Sequence, residues 1–249
     1  MRRAAAQSVL LLLLGGTLLK IAWTGTYVRY VKVGQHGYLL AAAAILMFVG
    51  AANLAHLLRT AHRQPGDSAD DRHGHHDQGH GHVHRGFEPS WLLIAPALVL
   101  LLVAPAALGS YAAARGGTAL AAAAGSDFPP LPDGNPVRIS VLDYAGRAVY
   151  DKGHTLARRQ VTLSGFILAA GGKSYLARML ITCCAADARP VKVGLTGDVP
   201  DNPAPDSWLQ VTGTYTTQTD TDPVNGEPIP YLTVTAAQPI AVPKLPYES

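Results

Sequence analysis

The residues best suited to chemistry in this chain are its only two cysteines, Cys183 and Cys184, which are adjacent in the run ITCCAADA. Three interpretations of the pair are open. The thiols could pack as small apolar side chains at the end of a strand. They could bind one soft metal ion, with Asp187 or an imidazole completing the ligand set. They could also form a vicinal disulfide, which is strained because neighbouring Cα atoms lie only ~3.8 Å apart.

A histidine-rich stretch is the second candidate metal site. Six of the ten histidines fall in one short segment that is otherwise rich in Gly and Asp. Neutral imidazole binds zinc, copper and nickel, and flexible glycine allows several ligands to converge on one ion. A polar low-complexity loop without a role, or a pH sensor, would have the same composition. The predicted ligands for zinc or another transition metal are therefore His73, His75, His76, His80, His82, His84, Cys183, Cys184 and Asp187.

Two function classes are disfavoured by composition. The segment from residue 126 to the end is slightly acidic, whereas binding to a phosphate backbone needs a basic surface, so no nucleic-acid partner is expected. The same segment has a single histidine, His154, and no visible third member of a catalytic triad. We therefore expect a non-enzymatic protein in which His154 is a surface loop residue.

The N-terminal part, residues 1–109, has the composition of a membrane region that contains the His-rich loop 59–89. A transmembrane helix needs about 20 apolar residues. The first of three apolar runs follows two arginines and could alternatively be a cleaved signal peptide. About three spans are predicted, at Ser8–Trp23, Tyr38–Leu58 and Ser90–Gly109.

The distribution of basic residues predicts the orientation of these spans. The N-terminus and the loop 59–89 together carry more arginines than the first loop and the segment after the third run. Cytoplasmic loops are enriched in Lys and Arg, so the N-terminus and the loop 59–89 are expected inside the cell. This predicts a multi-pass protein of the cell membrane with an extracytoplasmic C-terminal domain. Small residues at Ala41–Ala44 and Gly50–Ala52 would allow close packing against a helix of a partner.

The remaining chain is divided into a linker and a soluble domain. Residues 110–136 are first Ala/Gly-rich and then Pro-rich, which is typical of an extended spacer. Residues 137–249 predict a short amphipathic helix at Ile139–Tyr150 followed by an all-β domain. Internal glycines in two strands favour an OB-like five-stranded barrel, with a five-stranded sandwich as the competing fold. The predicted strands are Val161–Leu168, Ser174–Cys184, Pro190–Leu195, Trp208–Thr217 and Tyr231–Ile240.

Four sequence runs, ITCCAADARPVKV, VTLSGF, WLQVTGTY and PIAVPKLPYE, together resemble the YcgQ-type family of bacterial membrane proteins. The resemblance covers the order of the spans and the whole C-terminal domain. It implies the smaller subunit of a two-gene permease system, whose larger subunit is a multi-span permease, and it implies a link with metal homeostasis. It brings no catalytic residues.

These observations lead to one favoured hypothesis and one alternative. The favoured hypothesis is an auxiliary membrane subunit of a permease that handles a transition metal, with the multi-span permease and membrane lipid as its partners. The alternative is a standalone envelope protein, either a metal-binding sensor or a thiol-redox protein that uses Cys183 and Cys184. Co-purification with a permease separates the two.

Overall fold

The computed structural model describes residues 2–62, 95, 98–99, 102–103, 105–125, 127–201 and 203–248. The described residues divide into two units. One is a pair of apolar helices. The other is a β domain that contains the chain from residue 106 onward together with Tyr27–Gln35, the segment between the two helices. We call Tyr27–Gln35 the inter-helix segment.

The helical unit contains α1 (Arg2–Trp23) and α2 (His36–His62). At 1.5 Å of rise per residue, helices of 22 and 27 residues are long enough for a hydrocarbon layer of about 30 Å. Within the described part of the chain, only 22% and 11% of the most apolar window of each helix is buried. The described residues thus include two helices that could cross a membrane. Half of the third predicted span, Ser90–Gly109, lies outside the described residues, and the predicted count of about three is not confirmed.

Two glycines allow α1 and α2 to approach each other closely. A Cβ atom on Gly15 would lie 2.9 Å from Cγ of Met47, and one on Gly50 would lie 2.9 Å from Cγ of Leu12. Ala43, at the same contact, is 1% exposed. Part of the small-residue pattern assigned to a partner is therefore used for packing within the chain.

The described part of the β domain contains two further α-helices, seven strands and several short 3-10 helices, one of them at Leu120–Ala123. The helices are α3 (Ser110–Arg115) and α4 (Val141–Val149). The strands are β1 (Val137–Arg138), β2 (Gln160–Ala170), β3 (Lys173–Leu180), β4 (Arg189–Gly197), β5 (Trp208–Thr221), β6 (Pro228–Pro239) and β7 (Tyr247–Glu248). The predicted helix and all five predicted strands are present with shifted ends.

The five long strands close into a barrel. β2 is antiparallel to both β3 and β5, β3 is antiparallel to β4, β5 is antiparallel to β6, and β4 is parallel to β6. Phe166 in β2 pairs with Ala177 of β3 and with Trp208 of β5, so β2 changes neighbour along its length. The change occurs beside Gly165, where a Cβ atom would lie 2.5 Å from the carbonyl oxygen of Ala177. Closure confirms the predicted barrel and excludes the sandwich.

The segment predicted to be a spacer packs against the barrel instead. Ala113, Ala119 and Leu120 are each 1% exposed or less. Small side chains let the backbone of α3 and of the following turn approach the strands, so an Ala/Gly-rich composition here serves packing rather than extension. Leu131 in the proline-rich part is also buried.

Helix α4 completes the main core of the barrel. Ser140 caps it by accepting a hydrogen bond from the Asp143 N–H, and the Glu248 carboxylate accepts the N–H groups of Val141 and Leu142. These side chains satisfy N–H groups that have no partner within the helix. The buried residues that share this core are Val141, Tyr144, Ala145, Val161, Leu163, Ile167, Leu176, Val191, Val193, Leu209, Val211, Leu232 and Val234, with others.

Candidate functional site

The cysteines lie in a loop beyond the end of a strand. β3 ends at Leu180, and the strand predicted as Ser174–Cys184 is therefore too long. A single 3-10 turn at Ala185–Asp187 follows, before β4 begins at Arg189. We call residues 181–188 the cysteine loop. The apolar run ITCC has the composition of a strand. Its backbone N–H groups from Thr182 to Cys184, however, donate to the Asp187 carboxylate instead of to a neighbouring strand.

Asp187 shapes the cysteine loop. Its carboxylate accepts the N–H groups of Thr182 at 3.0 Å, of Cys183 at 2.8 Å and of Cys184 at 3.5 Å. A short acidic side chain that takes neighbouring backbone N–H groups competes with the hydrogen bonds of a strand. The strand ends here because Asp187 removes the donors that a ladder would need.

The two thiols and the Asp187 carboxylate converge. The ligand atoms of Cys183, Cys184 and Asp187 all lie within 4.8 Å of one another. Both cysteines are free; Cys183 is exposed, and Cys184 and Asp187 are half-buried. The structure thus brings together the three residues that the sequence proposed as one ligand set.

The Cys183 thiol is also coupled to the Asp187 carboxylate. A hydrogen bond from the thiol to this carboxylate, followed by one with Cys184, raises the pKa of Cys183 to about 11. The same bond, together with those from the backbone N–H groups, lowers the pKa of Asp187 to about 2. At neutral pH the loop therefore holds a protonated Cys183 beside an ionised carboxylate.

This donor set suits a thiophilic transition metal. Thiolate sulfur is the preferred ligand of zinc and other borderline or soft ions, and a carboxylate oxygen is an accepted third ligand of zinc. Binding at a thiol requires loss of its proton, so metal would displace the proton of Cys183. Three protein ligands leave a position open on a tetrahedral ion.

The inter-helix segment contacts the cysteine loop through the backbone. The Lys32 N–H donates to the Cys183 carbonyl at 3.0 Å, and the Ala185 N–H donates to the Tyr30 carbonyl at 2.7 Å. Val31 and Cys184 form an antiparallel bridge between these bonds. Sequence reasoning missed this contact because backbone groups carry no residue-specific signal.

The other predicted ligands, His73, His75, His76, His80, His82 and His84, fall outside the part of the chain that the structure describes. His154 is confirmed as a surface residue, with a side chain 78% exposed and 3.8 Å from Asp151. It is not part of the converging ligand set.

A second polar cluster lies beside the turn between β2 and β3. One carboxylate oxygen of Asp220 accepts from Lys173 Nζ at 2.6 Å, from the Tyr175 hydroxyl at 2.9 Å and from the Tyr231 hydroxyl at 3.4 Å. The hydrogen bond from Lys173 is the main reason that the pKa of Asp220 is lowered to about 2. Burial, followed by the bond to Asp220, raises the pKa of Tyr175. The cluster borders a cavity of about 270 Å³.

A buried ion pair in the barrel contacts residues 110–136, the segment that the sequence predicted to be a spacer. Lys192 Nζ lies 2.8 Å from Asp222 Oδ2, with side chains 5% and 0% exposed. Lys192 also donates to the Gly116 carbonyl, and Asp222 accepts the Thr118 N–H. Val191, Val193 and Leu195 of β4 face the main core, so Lys192 lies on the opposite face of the strand. The alternation of apolar residues carries no signal that this opposite face would be covered.

The fold and the site define a class of protein: two helices that could cross a membrane, joined to a five-stranded barrel that displays a cysteine loop. A family model described as the DUF1980 N-terminal domain matches residues 6–118, and one described as the DUF1980 C-terminal domain matches residues 143–248. The two matches span most of the chain, which therefore belongs to the DUF1980 family. No curated protein and no solved structure matches it significantly.

Proposed function

We propose that this chain is an auxiliary membrane subunit of a multi-span permease and that its cysteine loop binds a transition metal, with zinc as the first candidate. The observation that carries the proposal is the convergence of two free thiols and a carboxylate within 4.8 Å on an accessible loop. The resemblance to the YcgQ-type family supplies the permease as partner.

The open coordination position suits transfer of a metal. Structural zinc sites are closed by four protein ligands, whereas the described residues supply three, Cys183, Cys184 and Asp187. A fourth position that water or another donor can occupy permits ligand exchange. We infer that the loop receives or delivers an ion at the mouth of the permease rather than fixing the fold.

The hydrogen bond between the Cys183 thiol and Asp187 argues against the thiol-redox alternative. The thiolate is the reactive form in disulfide exchange, and redox-active cysteines have a lowered pKa. The pKa of Cys183 is raised. A metal ion that displaces the thiol proton gains two ligands, the Cys183 thiolate and the adjacent carboxylate. A redox reaction of the thiol does not use the carboxylate.

An extracytoplasmic position of the domain is part of the proposal. The hydrogen bonds between the inter-helix segment and the cysteine loop support a common side for these two segments in any membrane that α1 and α2 cross. The basic residues favour the N-terminus and the loop 59–89 as cytoplasmic. The cysteine loop and the histidine loop are then on opposite sides, and the histidine loop stays a separate predicted metal site.

Exposed apolar side chains on α2 are available to lipid or to the permease. Ile45 is 62% exposed, Phe48 75% and Leu58 55%.

In the barrel, the strand order with one parallel pair between β4 and β6 supports assignment to the OB type. Such barrels present loops for binding, and here the cysteine loop would be one of them.

Zinc titration of the detergent-purified full chain tests the metal site. Calorimetry would compare the wild type with Cys183→Ser/Cys184→Ser, with a variant in which the six loop histidines are alanine, and with both changes combined. We expect the serine pair to remove one zinc per chain whether or not the histidines are present. Equal stoichiometry and affinity with and without the serine pair would refute the site.

Co-purification tests the partner. The tagged full chain, extracted in mild detergent, should retain a multi-span permease encoded beside it. Apolar-to-polar changes at Ile45 and Phe48 should release the permease while leaving zinc binding at the cysteine loop unchanged. Recovery of the chain without any permease would contradict the auxiliary role and leave the metal site standing.

A further inference from the structure

The cysteine loop and the inter-helix segment form a two-sided structure, which we call the clasp (residues 30–32 with 183–185). Two backbone hydrogen bonds, from Lys32 to Cys183 at 3.0 Å and from Ala185 to Tyr30 at 2.7 Å, flank the bridge between Val31 and Cys184. The carbonyl group of Cys183 thus accepts a hydrogen bond from Lys32, and the N–H group of Cys183 donates one to Asp187. The backbone that directs both thiols is fixed.

A tyrosine secures the segment at a second point. The Tyr247 hydroxyl donates to the Arg29 carbonyl at 2.9 Å and accepts the Leu108 N–H at 3.0 Å. Tyr247 itself is 8% exposed and belongs to β7, which pairs with the end of β3. The inter-helix segment is therefore attached to the strand that leads into the cysteine loop.

Apolar packing beneath the clasp is incomplete. A cavity of about 50 Å³, enough for one or a few water molecules, separates the segment from the end of the barrel. Directed hydrogen bonds, rather than a filled interface, hold the segment in place. Regions with few buried apolar contacts open locally at low free-energy cost. The residues around the cavity are Val28, Val31, Lys32, Val33, Ile181, Leu245, Pro246 and Tyr247.

We propose that metal binding at the cysteine loop and docking of the inter-helix segment are thermodynamically linked. This inference rests on the proposed metal site. The docked segment fixes the Cys183–Cys184 backbone and so preorganises the thiols, which lowers the entropic cost of ligation. Because coupling between two binding events is reciprocal, metal must strengthen docking by the same factor as docking strengthens metal binding.

The linkage connects metal binding at the cysteine loop to the two apolar helices. The inter-helix segment is covalently continuous with α1, which ends at Trp23, and with α2, which begins at His36. A metal-loaded clasp fixes this segment, and an empty one releases it more often. Metal occupancy is thereby converted into mobility of the connection between the two apolar helices.

A matched pair of variants tests the linkage in the detergent-purified full chain. Lys32→Pro removes the N–H that bonds Cys183, while Lys32→Ala loses the same side chain and keeps the N–H. Loss of one such bond should weaken zinc binding at the cysteine loop roughly three- to tenfold in Lys32→Pro. Lys32→Ala should stay within about twofold of the wild type. Tyr247→Phe, which removes the hydroxyl that bonds both Arg29 and Leu108, should weaken binding in the same direction and serves if Lys32→Pro does not fold.

Hydrogen exchange supplies the reciprocal measurement. Zinc should slow amide exchange in residues 27–35 of the wild type and should not do so in Cys183→Ser/Cys184→Ser. If zinc binds through the cysteines but neither exchange nor the affinities of Lys32→Pro and Tyr247→Phe change, the linkage is wrong and the metal site stands. If the serine pair binds zinc like the wild type, the metal site falls and the linkage falls with it.

Discussion

Asp187 is hydrogen-bonded to both the backbone and the side chain of Cys183: its carboxylate accepts the Cys183 N–H at 2.8 Å and also a hydrogen bond from the Cys183 thiol. The first bond fixes the backbone of the cysteine loop, and the second keeps the thiol protonated. One carboxylate thus shapes the loop and suppresses the spontaneous reactivity of an exposed cysteine. A metal ion can replace the thiol proton and bind both the thiolate and the carboxylate.

Alkylation kinetics test the contact between Cys183 and Asp187. Because the thiolate is the nucleophile, a pKa raised to about 11 should make Cys183 react slowly with iodoacetamide near neutral pH and faster as the pH rises. Asp187→Asn removes the negative charge and should speed alkylation roughly tenfold or more at constant pH. Mass spectrometry follows the modification of each cysteine. Asp198→Asn, an exposed acid elsewhere in the domain, is the matched control, and an equal rate in all three proteins would contradict the assignment.

Labelling in intact cells tests the orientation. Cys183 and Cys184 are the only cysteines, and Cys183 is exposed, so a membrane-impermeant maleimide reports on one loop. An extracytoplasmic domain predicts the same labelling in intact and permeabilised cells. Labelling that needs permeabilisation would mean that the domain is cytoplasmic. The Cys183→Ser/Cys184→Ser chain gives the background.

The buried ion pair should be costly to break from one side. Lys192→Met leaves the Asp222 carboxylate, 0% exposed, without its cation, and an uncompensated buried charge costs about 3–5 kcal/mol. Denaturant unfolding of the full chain in micelles measures the change in the free energy of unfolding. Lys244→Met, at an exposed position, should change it by less than about 0.5 kcal/mol. A similarly small effect for Lys192→Met would show that the pair contributes little to the packing of residues 110–124.

Acid should remove the contribution of the Asp220 cluster. Its folded-state pKa of about 2 lies below the ordinary value, so the stabilisation is complete above about pH 4 and is lost as the pH falls toward 2. Asp220→Asn should therefore be less stable than the wild type at neutral pH, and the difference should shrink on acidification. Urea unfolding at several pH values, followed by intrinsic fluorescence, measures this. A difference that is constant with pH would rule out the ionised form of Asp220 as the stabilising one.

The barrel could be predicted from sequence because its signals are local. Val191, Val193 and Leu195 alternate along one face of β4, and Gly165 stands where β2 bends against Ala177. The apolar stripe in Ile139–Tyr150 predicted the helix that the structure has at Val141–Val149. Each of these features is a pattern within a few residues, and each led to the correct element.

The surroundings of the site could not be predicted because they depend on contacts between distant parts of the chain. The bond from Lys32 to Cys183 uses backbone atoms that every residue possesses. The burial of Ala113 and Ala119 depends on the strands they meet, since the same composition also suits a spacer. Sequence proximity placed Asp187 beside the cysteines, and the ligand atoms of the three residues lie within 4.8 Å of one another, but the role of Asp187 in ending β3 emerges only from the hydrogen bonds of the folded loop.

The absorption spectrum of the cobalt-loaded full chain is a direct test of whether Cys183 and Cys184 ligate a transition metal. Co²⁺ occupies zinc sites, and sulfur-to-cobalt charge transfer in the near ultraviolet arises only from thiolate ligands, so histidine-bound cobalt does not interfere. Ligation by both cysteines predicts one equivalent of cobalt with a charge-transfer band that zinc displaces, that weakens in Asp187→Ala and that disappears in Cys183→Ser/Cys184→Ser. Cobalt binding without this band in the wild type would rule out ligation by the cysteines.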